Sequence, residues 1–335
     1  MSFSKKIFLI SALFLLCFNV LNCQQKYYDA GDFILENGEK IENCRIAYQT
    51  FGKLNKERSN AVLAPLWFMG SSFEVKNFFC GEESLYDTTN YFVIAVDPFG
   101  NGVSSSPSNS NSQPGDAFPH FTITDMINAQ YVLLTGELGI SHLHAIVGLS
   151  MGGMQAYQWA VMYPDFSNKI VSINGTPSLT SYGKLLWTTE LRIIELLREC
   201  KNSDEKTMQI ISGLQTLLFK TPEYVIEKID EPAMYLFNND GYYKAFDPLD
   251  WQSQIKAFMD LDLFSLPKSK LRDIIRSEIL VVVSLRDHVV NPEPSIEFAE
   301  SFDCRLLKYD SPYGHQIWLD PESDLNDKVK EFLKK

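Results

Sequence analysis

The stretch Ala145-Ile146-Val147-Gly148-Leu149-Ser150-Met151-Gly152-Gly153-Met154 decides how the rest of the chain is read. An apolar run leads into a serine bracketed by glycines, and a helical pattern (Met154, Tyr157, Val161) follows it. Strand, tight turn and helix in that order make a nucleophile elbow: the turn strains Ser150, and Gly148 and Gly152 leave space where side chains would collide. A bare Gly-x-Ser-x-Gly is weak; its flanks make this one specific. The bland alternative is a plain glycine-rich turn between a strand and a helix.

Working outward, short apolar runs alternate with helical patterns, which predicts an α/β fold with a mostly parallel sheet flanked by crossover helices. Strands are expected at Ala61–Trp67, Tyr91–Val96, His144–Gly148, Lys169–Ile173, Ile279–Ser284 and Arg305–Tyr309. A helix starts at Thr122, with Asp125 completing a capping box and Met126, Ala129, Val132 and Leu133 on one face. The Ser-, Asn- and Pro-rich stretch Ser104–Pro114 reads as an exposed loop. From about Pro177 to Lys270 strand runs stop and the pattern turns helical, so this stretch is expected to be a helical lid inserted over the sheet, the alternative being a separate helical domain.

A serine is a poor nucleophile until a base takes its proton. Of five histidines, His120, His142 and His144 precede Ser150, whereas with this elbow the chain order is serine, acid, histidine. His288 adjoins the best acid candidate too closely to be oriented by it. His315 remains, after the last strand run. Asp287 is the first acid beyond Ile279–Ser284 and would accept the imidazole Nδ1–H, with Asp310 and Asp262 as runners-up. An oxyanion hole needs two N–H donors: Met151, immediately after the serine, and a residue of Phe68-Met69-Gly70, of which Phe68 is the choice. His142 and His144 could pair on a metal, but no third ligand falls nearby and a packed strand explains them. Asp97–Ser104 is a tight turn after a strand; Ser105 stands where a dinucleotide fingerprint needs a glycine, and no Walker sequence occurs. No metal and no cofactor is called for.

The ends and the composition set the context. Lys5 and Lys6 precede a twelve-residue, largely apolar stretch, Ile7 to Phe18, so residues 1–22 read as a signal peptide, too short to span a bilayer, and 23–335 as the enzyme domain. The chain is expected to be exported, secreted or held at the envelope. Val20-Leu21-Asn22-Cys23 is a loose lipobox that would place a lipid anchor on Cys23; ordinary cleavage nearby is the other reading. The net charge of −12 argues against a nucleic-acid partner. Cys44, Cys80, Cys200 and Cys304 leave one or two disulfides open, and the oligomeric state stays open too, a homodimer included.

The sequence resembles the homoserine O-acetyltransferase branch of the α/β-hydrolase superfamily from about Tyr28 to its end. The resemblance rests on Arg45–Asn55 (RIAYQTFGKLN), Phe118–Gln130 (FPHFTITDMINAQ), Gly148–Ala160 (GLSMGGMQAYQWA) and Gly314–Leu319 (GHQIWL). It implies an α/β-hydrolase fold with a lid at 177–270 and the triad Ser150, Asp287 and His315. It also shows departures. The acetyltransferases have an Asp after the histidine that holds the substrate ammonium, where this chain has Gln316; Lys220 falls where a lid Arg grips the substrate carboxylate, without the bidentate fork. With export, these changes favour an ester hydrolase acting through an acyl-serine, on a small-molecule ester. The alternative is an acyl-CoA-dependent O-acyltransferase on homoserine or another alcohol. A non-catalytic binding protein would be expected to lack a triad member. Trp187, Leu217 and Phe237 are read either as lining of an apolar acyl pocket or as core contacts.

Overall fold

The computed structural model describes residues 25–201 and 203–334, so the leader expected over 1–22 and Cys23 lie outside it. Along β3 (Ala61–Pro65) successive side chains enter opposite cores: Ala61 and Leu63 join one cluster, Val62 and Ala64 the other. That is the period-two geometry of a strand covered on both faces, and it explains why the run is apolar throughout.

β3 sits inside an eight-stranded sheet with β1 (Lys26–Ile34), β2 (Lys40–Phe51), β4 (Phe92–Val96), β5 (Leu143–Leu149), β6 (Ser167–Ile173), β7 (Glu278–Ser284) and β8 (Arg305–Tyr309). The order is β1-β2-β4-β3-β5-β6-β7-β8. β4 through β8 run parallel with β3, whereas β1 pairs antiparallel with β2, and β2 antiparallel with β4. All six expected strands are present, with ends shifted by a residue or two. The β1–β2 hairpin was not among them. Its outer strand is largely exposed and its register shifts near Gly31, which blurs the alternation; the signal that marks it is the Asn37-Gly38 turn.

Helices cover both faces. α1 (Ser72–Phe78) follows β3, and α2 (Ile123–Val132) starts with the expected Thr122–Asp125 capping box. α3 (Met151–Met162) follows β5. Between β6 and β7 lie α4 (Ser181–Glu199), α5 (Asp204–Phe219), α6 (Pro222–Lys228), α7 (Pro232–Tyr243), α8 (Pro248–Met259) and α9 (Lys268–Ile274). α10 (Glu293–Ser301) and α11 (Leu325–Lys334) complete the chain. Among the described residues no helix is long and apolar enough to cross a membrane.

Of the two histidines expected on a strand, His144 serves this packing and His142 lies exposed just before β5. His144 Nε2 lies 2.9 Å from the Leu333 carbonyl and its ring stacks on Tyr91, while Lys169 Nζ donates to the Phe332 and Leu333 carbonyls at 3.0 and 3.1 Å. Together they satisfy two carbonyls in the last turn of α11, where carbonyls have no partners within the helix. His142 bonds the Asp165 carbonyl and Asn168. Among the described residues no three potential ligands gather on a metal site.

Candidate active site

Ser150 sits between β5 and α3 with φ 55° and ψ −120°, a conformation an L-residue adopts only under constraint. The constraint is the glycine sequence around it. A Cβ on Gly148 would fall 2.0 Å from the Gly152 carbonyl oxygen, and one on Gly152 would fall 2.1 Å from the Pro65 carbonyl oxygen. The Ser150 amide donates to the Ile173 carbonyl at 2.8 Å, which ties the turn to β6.

His315 and Asp287 converge on this serine. His315 Nε2 lies 2.9 Å from Ser150 Oγ, and its Nδ1 lies 2.6 Å from Asp287 Oδ2, with all three residues buried. Asp287 Oδ1 accepts the amides of Val289 and Val290, both at 2.8 Å, so the turn after β7 fixes the carboxylate. Phe219 and Trp318 pack against the imidazole. The runners-up lie elsewhere: Asp310 pairs with Arg286, and Asp262 accepts the Phe264 amide.

Asn174, which sequence reasoning missed, holds the histidine loop. Its Nδ2 donates to the His315 carbonyl at 2.7 Å and its Oδ1 accepts the Ser284 amide at 2.8 Å. Its φ of 47° is one that Asn tolerates better than most residues. Nothing in sequence spacing marks this residue; only its place just past a strand on the site's side of the sheet could have suggested it.

The loop after β3 is pinned on three sides. Gln155 Nε2 donates to the Leu66 carbonyl, Gln254 Oε1 accepts the Met69 amide, and Asn101 Nδ2 donates to the Gly70 carbonyl. Asn101 belongs to the Asp97–Ser104 turn, in which the Asp97 carboxylate accepts the amide and hydroxyl of Ser72 at 2.9 and 2.6 Å. That turn therefore supports the loop. Gln254 thus occupies the Met69 amide, while Met151 is the first residue of α3, whose opening amides have no acceptor within the helix. The Phe68 ring is held by Trp187, Trp251 and Phe258 of the inserted helices.

Ser150 and His315 open into a cavity of about 300 Å³ whose wall is mostly aromatic and aliphatic, with Trp67, Phe68, Trp187, Trp251 and Trp318 among its residues. Gln316 lines it as well. Lys220 does not. Its ammonium lies 4.6 Å from the centre of the Tyr224 ring and 4.4 Å from that of Tyr313, and burial pushes its pKa down to about 8. The expected carboxylate grip is thus turned into the junction of α5 and α6 with the histidine loop, where Thr221 also bonds the Pro312 carbonyl. Trp187 lines the cavity, while Leu217 and Phe237 are exposed outside it.

A buried carboxylate supports the cavity from behind. Glu190 on α4 accepts the Trp251 indole N–H at 3.0 Å and the Gln215 side-chain amide, and burial raises its carboxyl pKa to about 7.

The alpha/beta hydrolase fold family model matches residues 72–196. A homoserine O-acetyltransferase of Methanococcoides burtonii is 37% identical in an alignment covering 90% of this chain and 72% of that protein. The ethyl acetate hydrolase of Pseudomonas veronii is 42% identical over 147 residues, which spans 44% of this chain and 42% of that enzyme, less than half of its length. The solved structure of the acetyl esterase MekB superposes with a TM-score of 0.86 at 26% identity, over 93% of this chain and 97% of that one.

Proposed function

The chain belongs to the homoserine O-acetyltransferase-like branch of the α/β-hydrolase fold, and from that premise we propose that it is an ester hydrolase that uses Ser150, His315 and Asp287 on short-chain carboxylic esters. His315 Nε2 takes the Ser150 proton as Oγ attacks the ester carbonyl. The Met151 and Phe68 amides receive the oxyanion, and Asp287 steadies the imidazolium. The alcohol leaves with the proton from His315, and water, activated by the same nitrogen, releases the acid from the acyl-serine.

One observation carries the choice of water over an alcohol acceptor: among the described residues the cavity wall holds no lysine or arginine. Acyl-CoA is polyanionic and homoserine carries a carboxylate, so each is favoured by a cationic side chain that this wall does not offer. Gln316, next to the histidine, is uncharged and gives an ammonium no ion-pair partner at that position; the carboxylate in the wall is Glu74, on α1. The leader read at residues 1–22 extends the proposal to an exported enzyme that meets little acyl-CoA. The relative from Methanococcoides burtonii favours the second reading, acetyl transfer to homoserine.

The test supplies the purified chain with p-nitrophenyl acetate and with acetyl-CoA, each with and without homoserine. Acetate released from the ester at a rate indifferent to homoserine supports the hydrolase. O-acetylhomoserine formed from acetyl-CoA overturns it.

A further inference from the structure

Among the described residues one carboxylate stands in the otherwise uncharged wall of the cavity, apart from the histidine of the triad. Glu74 lies in the first turn of α1, where its Oε2 accepts the amide and hydroxyl of Ser71 at 2.9 and 3.1 Å. Its Oε1 accepts the Tyr242 hydroxyl from α7 at 3.1 Å. All three donors are neutral groups, so they fix the carboxylate in place without cancelling its charge. It stands at the opening: Phe78 and Leu319, both in the wall, are 69% and 50% exposed. Trp67, Phe79 and Trp318 line the same cavity with aromatic rings.

We propose that Glu74 is a specificity-determining residue that sorts the esters entering the cavity by charge, admitting uncharged and cationic esters and disfavouring those with a carboxylate or phosphate. This rests on the hydrolase reading above and names its substrate class. Glu74 is half-buried, so its charge acts on an entering ligand through a medium between apolar wall and water, where salt still weakens it, and the field is focused along the cleft. An ammonium gains twice, from the carboxylate and from the faces of the aromatic rings. The net charge of −12 on the chain adds a background of the same sign.

The experiment compares kcat/KM for three acetate esters: acetylcholine, its uncharged isostere 3,3-dimethylbutyl acetate, and 3-acetoxypropanoate. Glu74→Gln retains an acceptor for the Ser71 amide, as a capping box allows, and removes only the charge. The anion-to-neutral ratio is expected to rise about tenfold and the cation-to-neutral ratio to fall by a similar factor. In the wild type, added salt moves both ratios in the same directions. Ratios indifferent to the substitution overturn the proposal; if the variant fails to fold, wild-type ratios indifferent to salt do so. Should no ester be cleaved, the hydrolase reading fails separately, and the same three compounds, tested as inhibitors of Ser150 labelling by a fluorophosphonate, still rank charge preference.

Discussion

Asn174 Nδ2 donates to the backbone carbonyl of His315 at 2.7 Å, so the loop that carries the imidazole is anchored to the end of β6 rather than only to its own neighbours. The other end of the same amide accepts from Ser284, at the end of β7. The segments that carry Asp287 and His315 are thereby locked to the end of β6 through one side chain. Asn174→Ala is predicted to lower kcat by about 10- to 100-fold with little change in KM, because a small misplacement of a base is costly. Asn174→Asp keeps the acceptor for Ser284 and loses the donor to His315, so kcat falls while the melting temperature falls less than in the alanine variant. Steady-state kinetics and thermal melts of both variants check this; unchanged kcat in the pair contradicts the positioning role.

The elbow glycines are predicted to tolerate no side chain. Gly152→Ala drives a methyl group into the Pro65 carbonyl, and a loss of at least about 3 kcal/mol or failure to fold is expected. Gly213, inside α5, has open space where its Cβ would stand. Gly213→Ala should therefore stabilise by up to about 1 kcal/mol. Urea denaturation of the two variants separates a steric requirement from a general sensitivity to glycine replacement.

Glu190 predicts a pH dependence of stability. Its carboxyl is raised from 4.5 to about 7 by burial, against the hydrogen bonds from Trp251 and Gln215 that favour the ionised form. The folded state therefore binds this proton more tightly than the unfolded chain. The group's contribution is fully present below about pH 4.5 and is lost as pH rises through 7, a loss on the order of 3 kcal/mol. Asp250, also raised to about 7 by burial, acts in the same direction. Glu190→Gln should remove its share, so that the variant gains on the wild type between pH 5 and pH 8 in urea melts. A stability difference that does not vary with pH argues against the assignment.

Lys220 gives an opposite sign. Burial lowers its pKa from 10.5 to about 8, so at neutral pH the folded state holds a charge it disfavours. Lys220→Met is predicted to raise the melting temperature at pH 7, with the gain shrinking between pH 8 and 10.5. As the side chain lies outside the cavity wall, KM for a neutral ester should not change. A large rise in KM would restore Lys220 as a substrate contact.

How much of this was legible in the sequence follows from what each signal depends on. Ser150 was readable because a strained turn, its glycines, the strand and the helix are contiguous. His315 and Asp287 could be chosen by chain order and by their places after strand runs. The β1–β2 hairpin was missed because an exposed, irregular outer strand carries little apolar alternation. Lys220 was assigned a substrate contact from a resemblance that fixes position along the chain but not the direction of a side chain, and the Tyr224 and Tyr313 rings capture it instead. Asn174, Gln155, Gln254 and Glu190 act through partners 25 to 185 residues away. Local pattern holds no trace of such pairs.

The most direct test of the central claim is the fate of an acetyl group on Ser150, followed by quenched-flow mass spectrometry of the chain with p-nitrophenyl acetate. An acetyl adduct on Ser150 is predicted, absent in Ser150→Ala, that decays at one rate with or without homoserine and yields acetate. An adduct that persists until homoserine is added, or acetylation at another residue, would contradict it.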